Sequence, residues 1–313
     1  MDDLTIRPYA DADAALLTDL MNVLEVAGDA GHEFTEQEIR DLISTDVTDA
    51  ARDTSMVLGA DGTLAAAGLV SAPSPRGSRA RTVGGVHPDW RGRGIGQALL
   101  RWQFERIAEI RAERGAADQW TVTAGAGIVD ESAAGLFRRA GLQPVRYFLE
   151  MRAATAGLAP AAQPAGVRIA AYTTDLQASV YAAHTEAFAD HWGFEDRAIG
   201  EWAARAFASD LFRGDLSRIA LADSRVVAYL LAYDGVADDL HIGLVGTRSP
   251  WRKRGLATAL LTGSLAAGAA AGKTTASLGV DADSPTGAVA VYERLGFTAP
   301  HAPFAVYEKP LDA

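Results

Sequence analysis

Apolar positions along the chain follow two rhythms, and the same succession of rhythms occurs twice. A short strand opens each half, Thr5-Ile6-Arg7-Pro8-Tyr9 and Arg168-Ile169-Ala170-Ala171-Tyr172. Helical spacing follows, from Ala14 to Val26 and from Leu176 to Ala189. Alternating or continuous apolar runs then predict strands over Ser55–Leu58 and Leu64–Ser71, and again over Arg218–Ala222 and Val226–Tyr233. A third strand, Thr82–Val86 or Leu240–Val245, leads through a Gly/Arg loop into a long helix, Ile95–Arg114 or Leu256–Gly272. Each half closes with a strand (Gln119–Thr123; Thr275–Val280), a second helix (Glu131–Ala140; Gly287–Leu295) and a terminal strand. This order predicts an α/β (α+β) fold in each half, a mixed central sheet flanked by helices.

The halves also match residue by residue. Pro88-Asp89-Trp90-Arg91-Gly92-Arg93-Gly94-Ile95-Gly96-Gln97-Ala98-Leu99-Leu100 answers Pro250-Trp251-Arg252-Lys253-Arg254-Gly255-Leu256-Ala257-Thr258-Ala259-Leu260-Leu261. Phe137-Arg138-Arg139-Ala140-Gly141-Leu142 answers Tyr292-Glu293-Arg294-Leu295-Gly296-Phe297. A repeat this long is a duplicated domain and not a solenoid unit. The expected division is a domain over 1–152, an Ala/Pro/Gly-rich linker over 153–166 and a second domain over 167–313. A chain of 313 residues suits two such cores.

Composition narrows the function by exclusion. Net charge is −11 and both halves are acidic, which argues against nucleic acid as a partner. There is no cysteine, so thiolate chemistry and cysteine metal sites are out. No His/Asp/Glu spacing suggests a metal site. No apolar run reaches membrane-spanning length. The start, Met1-Asp2-Asp3, lacks the basic residues of a signal peptide, so the cytoplasm is the expected compartment.

The chemistry concentrates in the loop Arg91-x-x-Gly94-x-Gly96, repeated as Arg252-x-x-Gly255-x-Ala257. Small residues there let a ligand approach the backbone. The helix that follows presents first-turn amides and the positive end of its dipole, an anion site. Arg91, Arg93, Arg252, Lys253 and Arg254 add positive charge. A diphosphate fits such a place. The loop is neither a P-loop nor the dinucleotide fingerprint, since Gly-Lys-Ser/Thr is absent and the glycine spacing differs.

A loop of this type after a strand, followed by Tyr-Glu-Arg-Leu-Gly-Phe, resembles the GCN5-related N-acetyltransferase (GNAT) superfamily, and the likeness covers both halves. The tandem layout is similar to mycothiol synthase-like actinobacterial acetyltransferases. The resemblance implies two GNAT-type domains, acetyl-CoA as co-substrate without a metal, and transfer to the primary amine of a small molecule by direct attack. It implies backbone partners for the pantetheine arm at Val86 and at Val245, Gly246 and Thr247. The pyrophosphate would lie on Arg252, Lys253, Arg254, Gly255, Leu256 and Ala257, and in the first half on Arg91, Gly92, Arg93, Gly94, Ile95 and Gly96. Tyr292 takes the position of the residue that protonates the leaving thiolate; its counterpart in the first half is Phe137. Counting back along the strand from the loop puts His241, with Asp239 on the same face, at the base position, and Ala80 in the first half. Pro285 stands where the family often has Asn, so Ser284 would supply that hydrogen bond, and this departure favours a relative of mycothiol synthase over that enzyme.

Glu186, Asp190 and Trp192 fall in a segment, with His184, His191 and Glu195, that is either an acceptor pocket or a solvated helix end. The expectation is a catalytic second domain and a non-catalytic first one, in a monomer with an internal pseudo-dimer. The alternative is a non-catalytic acyl-CoA sensor.

Overall fold

The computed structural model describes residues 4–116 and 119–311, so the acidic start lies outside the described residues. Its contacts form two compact units, Met1–Leu149 with His301–Ala313, and Glu150–Pro300.

The first unit runs β1 (Thr5–Arg7), α1 (Ala14–Gly28), α2 (Glu36–Asp46), α3 (Ala50–Asp53), β2 (Thr54–Leu58), β3 (Leu64–Ser71), β4 (Arg79–Val86), α4 (Ile95–Glu113), β5 (Thr121–Gly127), α5 (Glu131–Arg139) and β6 (Gln143–Ala154), whose last residues belong to the second unit. A capping box starts α2: the Thr35 hydroxyl accepts from the Glu38 amide at 3.1 Å, and Glu38 accepts from the Thr35 amide at 2.7 Å. β1 to β4 pair antiparallel, while β4 and β5 are parallel and joined by α4, as a parallel pair requires. Every residue of β3 is buried, because α1 and α2 cover one face of the sheet and α4 the other.

The second unit repeats the plan with β7 (Arg168–Ala171), α6 (Gln177–Phe188), α7 (Ile199–Phe207), β8 (Arg218–Ala222), β9 (Arg225–Asp234), β10 (Asp239–Thr247), α8 (Leu256–Ala270), β11 (Thr275–Asp281) and α9 (Ala288–Arg294). β7 to β10 are antiparallel neighbours, and β10 is parallel to β11 through α8. Tyr229 and Leu231 of β9 pack against Val180 and Ala183 of α6 and Trp202 of α7. α8 buries Leu256, Leu260, Leu261 and Leu265.

The last strand, β12 (Phe304–Pro310), does not complete this second sheet. It pairs antiparallel with both β5 and β6 and belongs to the first unit. The contacts therefore divide at Leu149/Glu150 and at Pro300/His301, whereas the sequence boundaries give the whole of 167–313 to one domain.

Candidate active site

Two features of the second unit create an opening. β10 and β11 pair at Asp239–Thr275, Leu240–Ala276 and His241–Ser277, and the pairing then stops, although the strands continue to Thr247 and Asp281. Past His241, β10 carries a register shift against β9: Ile242 opposes Ala232 and Leu244 opposes Leu231, so Gly243 is the extra residue. Such a bulge bends a strand and re-aims its side chains. Gly243 and Leu244 both turn toward the α6/α7 face, since a Cβ on Gly243 would lie 2.6 Å from the Tyr233 ring and Leu244 packs with the Tyr229–Trp202 core. The parted strands leave residues 243–246 without a strand partner on the β11 side, where an extended chain could pair, as expected of the pantetheine partners Val245 and Gly246; the Thr247 carbonyl already accepts from Arg252. Gly246 is small for a local reason, because a Cβ there would sit 2.4 Å from the fully buried Tyr229 ring.

The Gly/Arg loop lies at the far end of β10. Lys253 (φ 61°) and Gly255 (φ 79°) both take left-handed backbone, matching Gly92 (76°) and Gly94 (80°) in the first unit. Alternation of this kind turns successive amides toward one concavity. α8 and α4 start at Gly255 and Gly94 with no side-chain cap, so the amides of Leu256 and Ala257, and of Ile95 and Gly96, face outward. A Cβ on either capping glycine would meet nothing within 4 Å, which leaves room over the amides for a diphosphate. The arginines behave differently from the sequence expectation. Arg252 turns back: Nε donates to the Thr247 carbonyl (3.3 Å), and the guanidinium bonds the Ala187 carbonyl (2.9 Å) and both Asp190 oxygens (3.0 and 3.2 Å). Arg91 does the same with the Val86 carbonyl and Asp130. These residues lock the loop to the strand end. Arg254 and Arg93 stack on Trp251 and Trp90 at 4.7 and 4.6 Å, which holds their charge beside the loop.

Where the strands part, three side chains form a chain. Buried Asp239 accepts the Thr275 hydroxyl at 2.7 Å on one oxygen and the Ser277 hydroxyl at 2.6 Å on the other. His241 Nδ1 lies 3.1 Å from Ser277 Oγ. Ser277 has one hydrogen and gives it to Asp239, so its oxygen must accept from His241 Nδ1–H. In the neutral imidazole, Nε2 is then the proton-accepting nitrogen of His241. Tyr292 lies on α9. Its ring is buried edge-on to Phe297 at 5.9 Å, and burial pushes its hydroxyl up to about 12, so it stays protonated at neutral pH. Ser284 lies in the loop before α9 and bonds Thr286 at 2.9 Å.

A cavity of about 200 Å³ opens between α6, the following loop and α7, with Leu244 of the bulge among its lining residues. Its walls are aromatic: Tyr181, Phe188, Trp192, Phe194 and Trp202. His184 also lines it, with Nδ1 2.6 Å from the Tyr229 hydroxyl. Burial first, then Arg197 and His191, press His184 down to about 4, so the ring is neutral at physiological pH. Of the acceptor candidates named from sequence, His184, His191, Trp192 and Glu195 border this cavity, and Glu186 and Asp190 do not. Glu186 is held by Arg248 and Arg225. Asp190 is held by Arg252, whose hydrogen bonds bring its carboxyl down to about 2. Sequence reasoning missed Ser277, Tyr229, Tyr181, Trp202 and Leu244. Only the alternation Thr275-x-Ser277 on an otherwise apolar strand hinted at any of them.

The first unit differs at this place. β4 and β5 also pair over three residues, Arg79–Thr121 to Arg81–Thr123, but β4 shows no register shift against β3. Aligning the parallel pairs equates Asp239 with Arg79 and His241 with Arg81. The sequence count named Ala80 because the single extra residue of the β10 bulge shifts that count by one. Ala80 is fully buried on the α4 face, as Leu240 is on the α8 face. Arg79 is paired with Glu308 and Arg81 with Asp46.

Residues 178–297 match the profile of the Acetyltransferase (GNAT) family. The second unit carries a GNAT acetyltransferase domain. The whole chain is similar to a GCN5-related N-acetyltransferase from Sphaerobacter thermophilus, 26% identical with a TM-score of 0.83, covering 100% of this chain and 97% of that one. It is also similar to a tandem GNAT protein from the clavulanic acid biosynthesis pathway, at 17% identity and a TM-score of 0.71, covering 99% of both chains. That likeness gives both halves the GNAT fold. Saccharomyces cerevisiae N-myristoyltransferase with bound myristoyl-CoA shares the fold at 11% identity and a TM-score of 0.68, covering 98% of this chain and 83% of that one. No curated protein sequence matches the chain. The family match over residues 178–297 supports, for that domain, acyl-CoA-dependent acetyl transfer in general. Among the described residues no helix is long and apolar enough to cross a membrane, and no group of three His, Cys, Asp or Glu could hold a metal ion.

Proposed function

We propose that the second unit transfers the acetyl group of acetyl-CoA to the primary amine of a small molecule by direct attack of nitrogen on the thioester carbon. The amides of Leu256 and Ala257 and the positive end of α8 would hold the diphosphate. Val245, Gly246 and Thr247 would pair with the pantetheine arm. The C–N bond forms as the C–S bond breaks. His241 Nε2 takes the proton lost by the ammonium, directly or through water, and Tyr292 gives a proton to the departing thiolate. Holding both reactants in one cleft contributes through orientation.

The observation that carries this reading is the Asp239–Ser277–His241 chain at the point where β10 and β11 part. It supplies an oriented imidazole at the place where β10 and β11 part. The first unit keeps the loop but has Arg79, Arg81 and Phe137 at the corresponding positions, which supports a role for it as a non-catalytic partner that retains a CoA grip. Free-thiol release from acetyl-CoA against a panel of primary amines tests the proposal. Amine-dependent release is expected. Tyr292→Phe should lower kcat by at least roughly tenfold and leave the acetyl-CoA Kd nearly unchanged. Tight acetyl-CoA binding with no release from any amine would turn the reading to an acyl-CoA sensor.

A further inference from the structure

The cavity beside the bulge restricts what the acceptor can be. Its size comes first. An apolar cavity of about 150 Å³ accommodates a benzene molecule. The space here, about 200 Å³, is therefore large enough for one aromatic ring with a short arm.

Its charge comes second. A site for a polycation would present spare carboxylates. Glu186 and Asp190, the nearest acids on α6 and just after it, are committed to Arg248, Arg225 and Arg252. Glu195 lines the cavity, but its carboxylate is 3.0 Å from the Arg197 guanidinium, which lines it too. Arg197 also holds Glu201 at 3.1 Å. The lining is thus close to charge-balanced, and the guanidinium opposes a cation placed deep inside. His184, also in the lining, stacks on Phe188 at 4.6 Å and lies 5.2 Å from Trp202.

Its surface comes third. Five aromatic side chains and Leu244 line the cavity beside His184, Thr185, His191, Gly193, Glu195 and Arg197, so its apolar part favours a flat ring that packs against ring faces and edges. Leu244 is a bulge residue of β10, so a ring resting on it would project its amine toward the parted strands.

Resting on the function proposed above, we infer that the acceptor is an arylalkylamine: an aromatic ring in this cavity, joined by a short chain to the primary amine that is acetylated. The ring is held by Trp192 and its aromatic neighbours, and specificity lies in that packing.

Two measurements on the full chain test this. In the first, kcat/KM is compared for phenethylamine, n-butylamine, spermidine and glucosamine. Phenethylamine should exceed each of the others by at least about a hundredfold, since the ring is the main recognition element. Trp192→Ala should lower kcat/KM for phenethylamine about tenfold or more, through KM, and Trp192→Phe should restore most of it. Preference for spermidine or glucosamine would overturn the inference while leaving the acetyltransferase reading intact. In the second, phenethylamine is titrated calorimetrically into protein saturated with CoA. Saturable binding that Trp192→Ala weakens by about tenfold supports the inference even where no amine is turned over. Binding of n-butylamine as tight as that of phenethylamine would overturn it. Loss of acetyl-CoA binding and of thiol release together would instead remove the underlying function.

Discussion

At the scale of single residues, the decisive information is which hydrogen bonds share an atom. Asp239 and His241 were legible as titratable positions on one strand face. Ser277 was not, because serine on a strand carries no signature of its own. Yet its hydroxyl joins the two neighbours into one hydrogen-bonded chain. Arg252 and Asp190 show the opposite failure. Each looked like a ligand-binding group in isolation, and each is spent on the other. Burial produces a testable titration at His184. Its folded value near 4 lies below the unfolded value of about 6.5. The unfolded chain therefore binds a proton that the folded one refuses between these values, and stability falls as pH drops from 6.5 toward 4. The full loss from this group is on the order of 3 kcal/mol. Urea unfolding across that pH range should show the decline, and His184→Phe should flatten it. An unchanged slope in the variant would assign the effect to other groups.

At the scale of elements, the repeated order of strands and helices was readable because long periodic segments such as α4 and α8 impose their spacing on the sequence. Short ones do not. α7 buries only Trp202 and Ala206 in its nine residues, and its range was not readable from the pattern. The bulge in β10 was also invisible, since an extra residue leaves no compositional mark, and it displaced the comparison between the halves by one position. The backbone of the Gly/Arg loop, in contrast, was legible, because left-handed backbone selects glycine, though the turning back of Arg91 and Arg252 was not. The one exception gives a prediction with two signs. Lys253 adopts φ 61° where the first unit uses Gly92, and Gly255 adopts φ 79°. Lys253→Gly should relieve strain and stabilise the protein by a few tenths to about 1 kcal/mol, whereas Gly255→Ala should destabilise it by about 1 kcal/mol. Thermal unfolding reads both. Because Gly255 caps α8, its substitution should also weaken acetyl-CoA binding by about tenfold, as the first-turn amides are turned away. Equal and small effects of the two substitutions would show that loop backbone is not the constraint.

At the scale of the whole molecule, the duplication was evident from the matching loops and the matching Phe137 and Tyr292 segments. The destination of the last strand was not. β12 follows the second repeat in sequence but completes the first unit between β5 and β6, through pairings far apart in the chain. Local pattern cannot encode such a partner, because any strand with a buried face would suit the same slot. The proposed division of function rests on the side chains at equivalent strand positions: Asp239, His241 and Ser277 in the second unit, Arg79 and Arg81 in the first. The measurement that addresses this most directly is kcat for free-thiol release, with saturating acetyl-CoA and amine, in the paired variants His241→Ala and Arg81→Ala. The expected result is a fall of about a hundredfold for His241→Ala and a change within about twofold for Arg81→Ala, with unfolding midpoints confirming that both proteins are folded. An unaltered kcat in His241→Ala, or a comparable loss in Arg81→Ala, would contradict the assignment of catalysis to the second unit.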